Sequence, residues 1–273
     1  MFSKSKKLRL VIVLSVLLVG AAFWIFETFT LTVTRVNVKS AKVKNSVTVV
    51  QITDLHGSSF GKENARLIKL IEQQKPDLIA ATGDMFSFDD REGMNVAAEL
   101  LIALAKNNTV FYVNGEHDNS AEFSAMLMQG GVRVLEYDTE DVTVGETKLR
   151  IYGIDNVYYT RTFDLLNAFD DPVADAYNIL LAHIPYFDAF MSFGTDLSLC
   201  GDTHGGQVRL PLIGAVRCDG VWFPSLRNEP FYDKGLFQKD DKLMFISSGL
   251  GNYPLAIRLM NRPEIAVITI EPK

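Results

Sequence analysis

Between residues 48 and 129 the chain alternates between two kinds of segment, and no other feature limits its fold so strongly. Residues 48–53, 78–82 and 110–113 are short apolar runs rich in Val, Ile, Ala and Thr. Runs of that length and composition suit buried strands. Each precedes a helical pattern. Residues 62–74 put Leu67, Ile68 and Ile71 on one face, residues 93–106 form a second helix, and residues 121–129 form a third that Gly130-Gly131 stops. This order implies right-handed crossovers and a largely parallel sheet with covered faces. Ligands of such sheets sit beyond the carboxyl ends of the strands. Those ends carry Asp54, Asp84 and Glu116-His117-Asp118.

Other segments extend the pattern. Residues 30–38 alternate as a strand does. Residues 132–136, 142–144 and 148–152 read as short strands of a second, more antiparallel sheet, with Gly145-Glu146 as a hairpin turn. Residues 178–182, 196–200, 243–247 and 265–270 are further strands. Residues 156–176 and 217–241 read as irregular, aromatic-rich loops, which suits the rim of a substrate site.

Lys4, Lys6, Lys7 and Arg9 precede an uncharged apolar run from Leu10 to Phe26 that Glu27 closes. The run is at the short end of what spans a bilayer. Basic residues before it favour a cytoplasmic N-terminus, so the rest of the chain faces outward. Gly20-Ala21-Ala22 offers small residues, but no clean signal-peptidase site follows. An uncleaved signal anchor over residues 1–29, then one domain over residues 30–273, is the expected organisation. The expected location is the cell membrane, with a single pass and an extracytoplasmic domain.

Composition narrows the chemistry. A formal net charge of −6 offers no overall basic surface for nucleic acid as a specific partner. With only Cys200 and Cys218, a disulfide-dense scaffold and a Cys-based zinc site are excluded.

The chain has four histidines, His56, His117, His183 and His204, and each follows an expected buried strand beside Asp, Glu or Gly. Alone, Asp54-Leu55-His56 reads most simply as a strand whose Asp opens a turn. If the chain stays extended there, both side chains project to one side. All four imidazoles at equivalent strand ends, with Asp54, Asp84, Asp118 and Asp202, argue for one shared site. Nitrogen and oxygen donors without thiolate suit Mn, Fe, Zn or similar divalent ions.

The motifs Asp54-Leu55-His56, Gly83-Asp84, Gly115-Glu116-His117-Asp118, Ala182-His183 and Gly201-Asp202-Thr203-His204-Gly205-Gly206-Gln207 resemble those of the calcineurin-like metallophosphoesterase superfamily. The likeness is greatest to its membrane-anchored bacterial branch and runs from about residue 46 to the C-terminus. It implies an α/β fold, a four-layer α-β-β-α sandwich of two mixed β-sheets flanked by helices, here with an N-terminal membrane helix. It implies a metal-dependent phosphoesterase with two divalent ions. By that resemblance Asp54, His56, Asp84 and His204 would hold the first ion, Asp84 would bridge, and His183 would bind the second. A metal-bridging hydroxide would attack phosphorus, and His117, oriented by Asp118, would protonate the leaving oxygen.

Two positions depart from the family pattern. Glu116 stands where Asn is usual, and Asp202 where His is usual. Both fall on ligands of the second ion. Both can coordinate, so the preferred second site is Asp84, Glu116, His183 and Asp202, a harder set that leans towards Mn, Fe or Mg over Zn; the alternative is that the second ion is lost and one remains. Added negative charge opposes a phosphate monoester more than a diester, so a phosphodiester is the favoured substrate. A lipid-linked phosphate is a candidate because the anchor holds the site near a bilayer. Arg209 and Arg258 are candidate phosphate contacts, with a surface salt bridge as the plain alternative. The rival function is a catalytically weak or inactive binding domain that kept the fold.

Overall fold

The computed structural model describes residues 4–155, 164–218, 221–222 and 232–273. It opens with helix α1 (Lys4–Phe29), followed by β1 (Thr32–Ser40) and β2 (Val47–Ile52). Three strand–helix units come next: α2 (Ala65–Glu72) and β3 (Leu78–Thr82), α3 (Arg91–Ala105) and β4 (Val110–Val113), α4 (Ala121–Gln129) and β5 (Arg133–Val134). The second half has β6 (Asp138–Val144), β7 (Thr147–Gly153), β8 (Tyr177–Leu181), α5 (Phe187–Phe193) and β9 (Leu197–Cys200). Two small hairpins follow, β10 (Arg209–Leu210) with β11 (Gly214–Ala215) and β12 (Arg217–Cys218) with β13 (Val221–Trp222), before β14 (Gly235–Lys239), β15 (Lys242–Ile246) and β16 (Glu264–Pro272).

The strands make two six-stranded sheets, ordered β1-β16-β2-β3-β4-β5 and β14-β15-β9-β8-β7-β6. In the first, β2, β3, β4 and β5 run parallel. In the second, β7, β8, β9 and β15 run parallel, with antiparallel partners at both edges. One apolar layer lies between the sheets, with Val49, Phe111, Ile179, Leu199, Phe245 and Ile268 among its residues. A second lies between the first sheet and its helices, where Leu67, Leu101 and Phe123 face Val50, Ile79 and Tyr112. A third packs Phe187, Phe190 and Phe193 of α5 on the outer face of the second sheet. The result is the expected four-layer α-β-β-α sandwich.

Local sequence explains the helix boundaries. Ser120 caps α4 by accepting from the Phe123 amide, and Asp90 caps α3 by accepting from the Gly93 amide. Helix α2 is shorter than its periodic pattern because Glu63 and Asn64 have positive φ, 52° and 56°, which breaks the helix before Ala65.

Several expectations need correction. The short strand β5 belongs to the first sheet, parallel to β4, not to the second. The second sheet is parallel at its centre, and only its edges are antiparallel. Helix α5 and edge strand β14 were not expected, and β14 falls inside a span read as loop. The first aromatic-rich loop does not form a rim in its described part, because Phe169 turns inward into the third layer. Residues 156–163, 219–220 and 223–231 of the two expected loops lie outside the described residues.

Helix α1 contains a span, Lys6–Phe29, long and apolar enough to cross a membrane. Its 24 residues reach about 36 Å at 1.5 Å per residue, against a hydrocarbon core of about 30 Å. It is exposed along its apolar length and meets the domain at its C-terminal end, where Thr28 is fully buried.

The strand ends of both sheets meet at one pole. There the buried Gln51 amide of β2 donates to Thr82 Oγ1 of β3 and, across the sheets, to the Cys200 carbonyl of β9, both at 2.8 Å. Because the middle layer fixes how the sheets face each other, Phe245→Ala is expected to cost about 3–5 kcal/mol. A lowered midpoint in denaturant unfolding, with the slope unchanged, is the measurement that checks this.

Candidate metal centre

The candidate residues gather at this shared pole. Asp54 and His56 follow β2, Asp84 follows β3, Glu116, His117 and Asp118 follow β4, His183 follows β8, and Asp202 and His204 follow β9. Their backbone is not the extended one that the Asp-Leu-His spacing suggests. Asp54, His56, Asp84, Asp202 and His204 all have positive φ, at 51°, 45°, 53°, 70° and 50°. Each strand ends before its ligand-type residue, and a left-handed turn then carries the side chain inward. Such residues are sparsely populated for non-glycine side chains and cost of order 1 kcal/mol or more each. Gly83 takes φ +84°, and a Cβ there would lie 2.6 Å from the Gly115 amide nitrogen and 2.7 Å from His183 Nδ1. Glycine is what allows these strand ends to close on each other.

Asp84 sits at the centre. Its Oδ1 accepts from the His117 amide at 2.9 Å. Its Oδ2 lies 3.3 Å from His183 Nε2, 3.7 Å from His56 Nε2 and 4.0 Å from His117 Nε2. His204 Nε2 lies 3.2 Å from His56 Nε2 and 3.5 Å from Asp54 Oδ1. Three groups therefore have ligand atoms close enough to share an ion: Asp54, His56 and His204; Asp54, Asp84 and His183; Asp84, Glu116 and His117. Asp202 falls in none of them, although its amide donates to Asp54 Oδ1 at 3.1 Å.

The hydrogen bonding of these groups is incomplete in a way that fits a cation. His183 Nδ1 lies 2.8 Å from the Thr82 carbonyl, to which it donates, so Nε2 is the ring nitrogen that faces Asp84 Oδ2. Among the described residues that nitrogen is buried without a hydrogen-bond partner, as are Asp54 Oδ2 and His204 Nδ1. Buried polar atoms left bare in this way cost about 1–3 kcal/mol each. Two unprotonated imidazole nitrogens facing each other, as Nε2 of His56 and His204 can at 3.2 Å, repel unless positive charge sits between them.

The electrostatics agree. Burial pushes His56 down to about 4 and holds His204 well below its ordinary value, with the neighbouring imidazole adding to the latter. Both rings are thus neutral donors, the state that binds metal. Burial also pushes Asp54 up to about 7 and Asp202 up to about 6, with nearby carboxylates contributing to both. Burial would raise Asp84 too, but His183 outweighs it and holds that carboxyl below its usual range. His183 is correspondingly raised, Asp84 overcoming the effect of burial. Acids crowded together in a dry site are what a divalent ion neutralises.

Other expected residues lie elsewhere. Asp118 does not orient His117 through its carboxylate, because its oxygens accept from the Met85 and Gly115 amides at 2.6 Å. It pins the β3 and β4 turns together. Arg258 is buried and, among the described residues, makes no salt bridge. Its buried guanidinium donates to the Ser248, Gly251 and Asn261 carbonyls and to Asn252 Oδ1, shaping the loop behind Asp54. Arg209 bonds the Gly205 carbonyl and pairs with Asp233 at 2.6 Å. Cys200 is buried, as expected.

Some supporting residues were not legible in the sequence. Ser87 Oγ lies 3.0 Å from His56 Nδ1 and orients that ring, leaving Nε2 facing the centre. Tyr253 stacks on His56, with centroids 4.8 Å apart, and lies 4.5 Å from the His117 ring. Glu264, Ser248, Lys234 and Asn261 form a buried chain of hydrogen bonds that ends on the His204 carbonyl. No spacing rule in one sequence connects Ser87 or Tyr253 to the histidines they touch.

The model of the calcineurin-like phosphoesterase family matches residues 47–207, more than half of the chain. This chain belongs to the calcineurin-like phosphoesterase family. Its relatives include the Caenorhabditis elegans protein F40B5.2, named as a metallophosphoesterase, at 30% identity over 82% of this chain. The chain spans 48% of that protein's length. The uncharacterized metallophosphoesterase YkuE of Bacillus subtilis is 28% identical over 82% of this chain and 78% of its own. The phosphodiesterase YaeI of Escherichia coli is 27% identical over 81% of each chain. Metallophosphoesterases use divalent metals, and the donor set of this family member suits such ions.

Because Ser87 holds the His56 ring, Ser87→Ala is expected to weaken metal binding about 10–100-fold while the fold persists. Titration of the metal-free protein with Mn²⁺, followed by calorimetry, reads this directly.

Proposed function

We propose that this chain hydrolyses a phosphate ester, a diester in preference to a monoester, at a centre of two divalent ions. The observation that carries the reading is Asp84 Oδ2 lying within 4.0 Å of three imidazole nitrogens, beside buried polar atoms that lack partners. Asp54, His56, Asp84 and His204 would hold one ion. Asp84, Glu116, His183 and Asp202 would hold the other. Two such ions polarise phosphoryl oxygens and make bound water more acidic.

The remaining work falls to the chain's own side chains. His117 is the proton donor to the leaving oxygen. Its ring is partly exposed, and its Nε2 lies 3.6 Å from Glu116 Oε1. The Asp84 contact to its amide and the Tyr253 ring hold it in position. A cavity of about 310 Å³ opens beside it, lined by Phe86, Phe88, Arg91, Met94 and Asn119 among others. That cavity suits the leaving group, and Arg91 at its edge is already paired with Glu122 at 2.7 Å. Glu116 and Asp202 add negative charge where the family pattern has neutral residues. Coulomb repulsion then penalises a doubly charged monoester more than a singly charged diester. Oxygen donors in the second set favour Mn or Fe. The name of YaeI, a phosphodiesterase, is consistent with this preference.

Residues 1–29 act as a signal anchor with Lys4, Lys6, Lys7 and Arg9 in the cytoplasm, and residues 30–273 form an extracytoplasmic domain. A rival reading, a domain that binds without turnover, draws on the absence of Asp202 from the three ligand groups.

Metal analysis and paired chromogenic mono- and diesters separate these readings. Two metal equivalents with faster diester turnover support the proposal. Less than one equivalent without turnover supports the binding domain, and a clear monoester preference overturns the diester assignment. His117→Ala is expected to lower kcat about 10²–10⁴-fold while Mn²⁺ content stays unchanged; retained activity would remove His117 from the acid role.

A further inference from the structure

One side of the candidate site is flanked by exposed apolar side chains that the proposed chemistry does not use. Leu210, Leu212 and Ile213 occupy the β10–β11 hairpin, and Leu255, Ile257 and Met260 occupy the loop that follows Tyr253. All six are exposed, and Leu212 at the hairpin tip is fully so. The two segments form one surface, since the Arg209 amide donates to the Leu259 carbonyl at 2.9 Å and the Leu259 amide to the Gln207 carbonyl at 3.1 Å. Contiguous exposed apolar side chains of this size mark a contact surface.

The end of α1 packs beside this surface. Trp24 Nε1 donates to the Ala256 carbonyl at 2.9 Å, between Leu255 and Ile257. The Arg258 amide donates to Thr28 Oγ1 at 3.3 Å, and the Arg262 guanidinium lies 4.9 Å from the Phe26 ring. Residues 255–262 therefore run beside the last two turns of α1. Trp24 and Phe26 belong to the uncharged run that begins at Leu10. If that run spans a bilayer, whatever lies beside Trp24 lies at the depth of the interface, where Trp is favoured. Arg262 lies at the same depth, its guanidinium over the Phe26 ring and donating to Thr32 Oγ1 at 3.4 Å.

We propose that the hairpin tip at residues 210–213 and the loop at residues 255–260 dip into the same bilayer that α1 crosses. This rests on the reading of α1 as a membrane span. Burying leucine and isoleucine side chains in hydrocarbon is favoured in proportion to their apolar area, and several together hold the domain against the membrane in one orientation. Tyr253, whose ring covers His56 and His117, begins this loop. The candidate metal centre then opens next to the headgroup layer instead of facing bulk solvent.

The test uses the full chain in phospholipid vesicles doped with spin-labelled lipid. In a Cys218→Ser background, single variants Val16→Cys, Leu212→Cys and Glu146→Cys each carry an environment-sensitive dye. Position 16 reports on α1. Glu146 lies in the β6–β7 turn, at the end of the second sheet away from its parallel strands' carboxyl ends. The expected result is strong quenching at 16 and 212 and none at 146. Quenching at 16 without quenching at 212 overturns the proposal while leaving the anchor intact. Absence of quenching at both 16 and 212 removes the anchor reading, and this proposal with it. None of these outcomes depends on turnover, so failure of the phosphoesterase assay is read separately.

Discussion

The structure depends on keeping acids and imidazoles crowded together at the junction of two sheets. Asp84 Oδ2 faces three imidazole nitrogens, and His56 faces His204 across 3.2 Å. Without an ion part of this cluster is poorly satisfied. His56 and His204 face each other through ring nitrogens, and Asp54 and Asp202 are pushed towards protonation by burial and by neighbouring acids. The stability of the remaining fold must hold them in place, as at many sites built for metals.

That support is visible in the layers beneath the site. Three apolar layers fix the two sheets and their helices. Gln51 joins the sheets just below the ligands. Asp118 ties the β3 turn to the β4 turn, and the Lys234–Ser248–Glu264 network and Arg258 hold the loops on the other side. With these constraints in place, five ligand-type residues can persist at positive φ. Local strain and bare polar atoms are found at the same point because both serve ligand placement.

Much of the architecture was legible in the residues. The β-prone runs ending in Asp, Glu or His correspond to β2, β3, β4, β8 and β9, and helix α4 has the expected bounds. These segments are long or strongly patterned, so burial alone dictates them. The weaker segments carry too little pattern to place. Strand β5 has only two residues, too few for a period to reveal which sheet it joins. The aromatic residues at 187–193 were not seen as α5, whose Phe side chains pack on the second sheet. The roles given to Asp118 and Arg258 failed to anticipate their backbone partners, because a carboxylate or guanidinium bonds whatever amide or carbonyl the fold brings near. Ser87 and Tyr253 carried no mark at all.

The donor types, their order along the chain and their position after buried strands follow from the residues alone. Those follow from local pattern and from the chemistry of each side chain. Tertiary structure alone decided the rest: that Asp84 is central, that Asp202 stands apart from the three ligand groups, and that exposed apolar loops flank α1 beside the site. The reason is physical. A residue's chemistry travels with its side chain, whereas its neighbours depend on how two sheets with separate strand orders are pressed together. Left-handed turns at the strand ends then re-aim each group by an amount that no spacing along the chain records.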